Sequence, residues 1–258
     1  MLILDILLSI YAFIMGSSFA SFFGVVCYRV PRELSIIKPN SRCDECLHEL
    51  KWYENIPILS YIFLKGKCSN CSHKIGISSF IFEIIGGVSF TLIYLKFKIS
   101  FLTLFYIFIC AMLLLMAMYD YYTKSILDIM WIIYLILCLG LYAYNTFYLG
   151  ENLYKPLIGV VIGGVFFLTI KLIGYLIYKK DILGTGDIIV ISVSGLFLSY
   201  LGVIYAILIG SLIGSITEII KIKTKKTDSK NEIAFLPYLN LGIYVSVLTI
   251  NYIINLLY

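Results

Sequence analysis

Long apolar runs separated by short polar breaks dominate the chain. Uninterrupted hydrophobic stretches fall at 6–28, 79–95, 99–119, 129–147, 156–178, 188–199, 203–220 and 235–257. A helix that crosses a bilayer needs about 20 apolar residues, so the pattern predicts an all-α polytopic membrane protein with about eight transmembrane helices. Segment 188–220 reads either as one bent helix or as two short spans, 188–199 and 203–220, with Ser199-Tyr200-Leu201-Gly202 as a tight turn between them. One sizeable polar segment interrupts the series. The predicted organisation is a first transmembrane helix (1–28), a polar module (29–78) and a membrane-embedded core of about seven helices (79–258), with no internal repeats.

Composition narrows the class. The chain is 61% hydrophobic and 14% charged, with a mean hydropathy of +0.97, which leaves no room for a large soluble catalytic domain. A formal charge of +5 would suit a nucleic-acid partner, but its distribution points elsewhere. Of the 20 basic residues, 16 fall in segments 29–78, 120–128, 179–187 and 221–234. With eight spans these segments share one side, which the positive-inside rule makes the cytoplasm. Both termini are then expected outside, the polar module inside, and the partner is the lipid bilayer, with no nucleic acid. The first apolar run lacks a basic segment before it and is read as a retained helix, not a cleaved leader.

Seven cysteines divide into two kinds. Cys27, Cys110 and Cys138 stand alone in apolar runs and read as small buried hydrophobes. Cys43, Cys46, Cys68 and Cys71 form two CxxC pairs inside the polar module, a spacing that suits two knuckles around one tetrahedral metal ion. Two disulfides are the competing reading and would need an oxidising compartment. The basic flanks place the module in the cytoplasm, which favours a structural zinc. A closed four-thiolate site would also give a segment of this size folding energy that burial cannot supply. His48 and His73, each two residues past a CxxC, read as surface residues.

Ionisable residues at the edges of spans are costly, so each needs a reason. Asp120 ends the third apolar run and Asp128 begins the fourth. Asp187 closes Gly184-Thr185-Gly186-Asp187 and precedes the sixth. Asp120 and Asp187 fall at the same membrane face and could oppose each other across a bundle, where two carboxylates share one proton and act as base and acid. Gly184 and Gly186 would let a bound peptide approach the backbone closely. The alternative is that Asp128 and Asp187 merely begin helices, where Asp is common. Spacing alone leaves both readings open. Glu83 and Glu218, also within spans, are expected to make polar contacts inside the bundle.

The residues resemble the type IV prepilin leader peptidases, GxGD-type aspartyl proteases of bacterial inner membranes. The likeness is densest from Lys38 to Cys71, above all Trp52-Tyr53-Glu54-Asn55-Ile56-Pro57 between the CxxC pairs. Tyr28-Arg29-Val30-Pro31-Arg32, Glu83-Ile84-Ile85-Gly86-Gly87, Asp120 with Asp128, Gly184 to Asp187, and Ala234-Phe235-Leu236-Pro237-Tyr238 extend it over nearly the whole chain. The resemblance implies that Asp120 and Asp187 are catalytic, with Gly184, Gly186 and Asp128 in the active-site loops. It implies cleavage of the short basic leader of type IV prepilins or pseudopilins. It also implies N-methylation of the new N-terminus from S-adenosylmethionine, with Glu83 and Gly87 at the cofactor. Three positions depart from the family pattern: Gly24, Ser78-Ser79-Phe80 and Leu127. A transporter or channel carrying a structural zinc module is the alternative, and it predicts internal half-repeats that the sequence lacks.

Overall fold

The computed structural model describes residues 2–179, 181, 183–224 and 234–257, with side chains through residue 249. Lys180, Lys225, Lys226 and Lys230, which enter the charge argument above, lie outside these residues. The described residues form helices α1 (Leu2–Arg29), α2 (Leu59–Phe63), α3 (Ile77–Phe97), α4 (Phe101–Thr123), α5 (Asp128–Ala143), α6 (Tyr154–Tyr178), α7 (Thr185–Lys223) and α8 (Leu236–Leu257). Among them, six helical stretches are long and apolar enough to cross a membrane. The chain divides into two compact units, Met1–Met118 and Tyr119–Tyr258.

In the first unit α1 and α3 pack antiparallel. Gly16 and Gly86 meet at the crossing, where a Cβ on Gly86 would lie 2.6 Å from the Gly16 carbonyl oxygen, so only glycine permits this approach. Toward one end of the pair Tyr94 donates to Asp5 at 2.8 Å, and Lys98 pairs with the same carboxylate at 3.2 Å. Toward the other, the buried Arg29 donates to the Ser35 and Asn40 carbonyls. That clamp ties the polar module to the end of α1.

In the second unit, α6 packs chiefly on the first limb of α7 and α8 on the second. The α7 run is broken at Ser199, whose φ of 55° and ψ of −176° are not helical. A Cβ on Gly163 of α6 would touch Ile191 O at 3.1 Å and Val203 Cγ1 at 3.3 Å. Residues twelve apart in a straight helix are separated by about 18 Å. The chain therefore doubles back at Ser199, and Ile191 and Val203 lie side by side on antiparallel limbs. This is the turn the sequence pattern predicts, made by one residue in the left-handed region. Counting the limbs separately and adding α8 gives the eight apolar segments of the sequence pattern. A buried hydrogen bond of 2.7 Å between Tyr134 and Ser194 fastens α5 to the first limb, and Ser246 of α8 donates to Gly202 O of the second at 2.9 Å.

Candidate active site and metal centre

Asp120 and Asp187 both belong to the second unit. Asp120 lies in the last turn of α4 and accepts the Leu236 N–H, the first of α8, at 3.3 Å through Oδ2. Asp187 is buried in the first turn of α7, whose N-cap is Gly184. The Gly184 amide hydrogen-bonds the Asp187 carboxylate, an N-capping arrangement that satisfies an otherwise orphaned donor and fixes the side chain. The two carboxylates are near enough for the charge of Asp120 to act on Asp187.

The glycines before Asp187 have separate local reasons. A Cβ on Gly184 would crowd Asp187 Oδ2 at 3.2 Å, and one on Gly186 would strike the Ile126 side chain, with Cγ1 at 3.0 Å. Gly186 thus makes room for the loop that follows Asp120, which draws the two aspartate-bearing segments together. Asp128, exposed at the start of α5, accepts the Trp131 indole N–H at 3.0 Å. The structure therefore gives it a helix-start role.

The four module cysteines gather into one cluster in the first unit, with all sulfurs within 4.8 Å of one another. Each CxxC forms the same knuckle. Cys43 N donates to His48 O and Leu47 N to Cys43 O; Cys68 N donates to His73 O and Ser72 N to Cys68 O. Leu47 and Ser72 occupy equivalent left-handed positions, at φ 57° and 59°. The Cys43–Cys71 and Cys46–Cys68 sulfurs are 3.7 and 3.9 Å apart. Bonds of about 2.3 Å to a tetrahedral ion would separate the sulfurs by about 3.8 Å, whereas a disulfide requires about 2.05 Å. All four cysteines are free thiols, and the cluster can hold a metal ion.

Backbone amides prepare this cluster for a cation. The His48 N–H pulls the Cys46 thiol down to about 6, and the Cys71 N–H lowers Cys68. At Cys71 the His73 N–H also acts downward, but desolvation and the three neighbouring sulfurs outweigh it and push the thiol up to about 12. The histidine side chains turn away, His48 to the buried Glu54 at 3.6 Å and His73 to Glu45 at 3.8 Å. Glu54, from the motif between the CxxC pairs, also accepts Lys51 N–H at 2.8 Å and hydrogen-bonds Ser69 of the second knuckle.

Glu83 and Gly87 are engaged by the protein itself. Glu83 Oε2 accepts the Ile58 N–H at 2.7 Å, and its carboxylate also hydrogen-bonds Ser21 of α1. A Cβ on Gly87 would lie 2.5 Å from Ser17 Oγ and 2.7 Å from the Phe13 ring. These two positions hold α1, α3 and the module together. The polar contact expected of Glu218 is present: it accepts from Lys221 at 2.6 Å and from Tyr238 at 2.9 Å. Sequence reasoning did not find the Leu236 amide, because a backbone donor across the fold leaves no mark in residue type.

The architecture defines a polytopic helical membrane protein with a four-cysteine module between its first two long helices. The chain belongs to the type IV leader peptidase family. The family model of that description matches residues 107–219, and one described as the bacterial peptidase A24 N-terminal domain matches residues 14–97. A prepilin leader peptidase/N-methyltransferase of Myxococcus xanthus is 29% identical over 83% of this chain, which spans 63% of that protein's length. Proteins of the same name from Pseudomonas aeruginosa and Bacillus subtilis are 26% and 28% identical, over 91% and 89% of this chain and 88% and 90% of their own. No solved structure matches the chain.

Proposed function

We propose that the chain is an endopeptidase of the bacterial inner membrane that removes the short basic leader from type IV prepilins or pseudopilins at the cytoplasmic membrane face. Asp120 and Asp187 are its catalytic pair. One carboxylate takes a proton from the attacking water while the other, protonated, hydrogen-bonds the scissile carbonyl oxygen; the roles then reverse as the amine leaves. The observation that carries this reading is the meeting of two charge-coupled aspartates, one buried and backbone-capped, in one helical unit. The Leu236 and Gly184 amides aim the side chains, and the glycine before Asp187 lets the Asp120 loop close on it.

In this reading residues 29–78 are a cytoplasmic module closed by one structural zinc on Cys43, Cys46, Cys68 and Cys71. Residues 1–28 and 79–258 form the membrane part, and both termini lie outside. The near-tetrahedral sulfur spacing supports the zinc assignment. The names of the relatives support methylation of the new N-terminus from S-adenosylmethionine, with Glu83 and Gly87, at the junction of α1, α3 and the module, beside the cofactor.

The test is cleavage of co-expressed candidate prepilins, followed as a gel shift. The wild-type chain should convert precursor to mature pilin. Variants Asp120→Asn and Asp187→Asn should leave it full-length while remaining inserted in the membrane.

A further inference from the structure

A short stretch of the module, Pro57–Phe63, is held against α3, a helix long and apolar enough to cross a membrane. Its position follows from two contacts with α3. Ile58 N–H is held by Glu83 at 2.7 Å, and the Tyr61 ring stacks on Phe80 with centroids 4.7 Å apart. Helix α3 has 21 residues, a length of about 31 Å, against a hydrocarbon thickness of about 30 Å. With α3 spanning the bilayer upright, Ile77 would sit near the boundary and Glu83 about 9 Å inside it. Ile58 and the start of α2 share that level.

The backbone here is built for a place with little water. Ile58, at φ 64° and ψ −53°, centres a γ-turn closed by Leu59 N–H donating to Pro57 O at 2.6 Å. This geometry is strained for a β-branched residue. Pro57 has no N–H, Ile58 N–H goes to Glu83, Ser60 N–H to Ile56 O and Ile62 N–H to Ile58 O. Donors satisfied internally are what irregular backbone requires at membrane depth. With Tyr61 turned to α3, the side chains of Leu59, Ile62 and Phe63 remain exposed, Phe63 at 79%. Lys65 and Lys67 follow directly and form no ion pair among the described residues.

We propose that Pro57–Phe63 is an interfacial anchor. It lies in the headgroup–acyl boundary of the bilayer, with Leu59, Ile62 and Phe63 toward the acyl chains and Lys65 and Lys67 against anionic headgroups, and Glu83 pins it from inside the span. Apolar side chains beside unpaired lysines match the chemistry of an anionic phospholipid surface. The anchor holds the four-cysteine module against the membrane whichever reaction the aspartates perform.

The experiment places a single tryptophan at Phe63→Trp, with Trp52 and Trp131 replaced by phenylalanine, in the full chain in nanodiscs of phosphatidylethanolamine and phosphatidylglycerol without prepilin. Lipids brominated near the headgroup should quench its emission several-fold more than lipids brominated near the chain ends, and aqueous acrylamide should quench it weakly. Adding Glu83→Leu should raise acrylamide quenching several-fold. Ile62→Trp reads the same face should the first variant fail to fold. Strong acrylamide quenching without bromolipid quenching would overturn the proposal. So would protection that arises only when prepilin is added, which would assign the face to substrate.

Discussion

Leu236 N–H reaches Asp120 Oδ2 at 3.3 Å across 116 positions of sequence. The carboxylate of α4 thereby caps α8, and α8 in turn fixes where that carboxylate points. The two roles can be separated. Asp120→Asn keeps an acceptor oxygen for Leu236 but cannot supply or take the catalytic proton, whereas Asp120→Ala loses both. Each should lower leader cleavage at least about 100-fold, the lower range for a general acid or base. Only the alanine variant should also speed amide exchange at Leu236–Leu239. Asp128→Asn, which keeps an acceptor for the Trp131 indole N–H, should retain most of the activity.

Gly186 and Ile126 form a second testable pair. An added methyl at 186 meets the Ile126 side chain, and overpacking of this kind costs about 1–3 kcal/mol. Gly186→Ala should therefore slow cleavage about tenfold or more by pushing the Asp120 loop away from Asp187. Gly186→Ala with Ile126→Ala should recover much of the loss, a coupling that a double-mutant cycle measures directly.

Apolar run length made the membrane architecture legible. Run 79–95 becomes Ile77–Phe97, and run 156–178 becomes Tyr154–Tyr178, because a span must be apolar along its whole length. The cysteine cluster was legible because CxxC spacing is local geometry. The contacts that seat the module and aim the Asp120 carboxylate were not. Ile58 to Glu83 and Leu236 to Asp120 depend on backbone donors brought in from distant elements, and a backbone amide is the same at every residue but proline. Glycine before Asp187 was visible, but its reason, room for Ile126, required the packed helices.

Metal content gives a third prediction. The chain should carry about one zinc, and replacing any one of Cys43, Cys46, Cys68 or Cys71 by serine should release it and expose 40–75 to proteases. Proton accounting adds a sign. At pH 7 Cys46, lowered to about 6, is already thiolate, whereas Cys71, raised to about 12, must give up a proton when metal binds. Zinc uptake by the stripped protein at pH 7 should therefore release protons. Calorimetry in buffers of different ionisation enthalpy measures this. In the folded apo state, the stabilising contribution of Cys46, whose thiol is lowered, is present above its ordinary pKa and is lost as pH falls through about 6.

Tyr238 joins Glu218 and Lys221 in a closed triangle, at 2.9 Å to each, between the start of α8 and the end of α7. Phenylalanine there removes both bonds and leaves the carboxylate and ammonium paired with each other. At about 0.5–1.5 kcal/mol per hydrogen bond, Tyr238→Phe should lower thermal stability in detergent by a few degrees. Because α8 would start less firmly, kcat for leader cleavage should fall while KM for the prepilin stays near wild type. A change confined to KM would instead place Tyr238 in contact with substrate.

The last prediction separates cleavage from methylation. An amine that has not been freed cannot be methylated, so Asp120→Asn and Asp187→Asn should yield no methylated pilin from full-length precursor. The two activities come apart when the pilin is supplied already cleaved. If methyl transfer uses groups other than the aspartates, Asp187→Asn should methylate that substrate at the wild-type rate, because the variant changes one carboxylate in the second unit and leaves the module and its Glu83 link untouched. Glu83→Leu breaks that link at Ile58, and should reduce methylation of the cleaved pilin more than it reduces cleavage of the precursor. Equal loss of both activities in Glu83→Leu would mean that the module's seat on α3 serves the whole enzyme. Loss of methylation in Asp187→Asn, with wild type fully active on the same substrate, would place both reactions at one shared site.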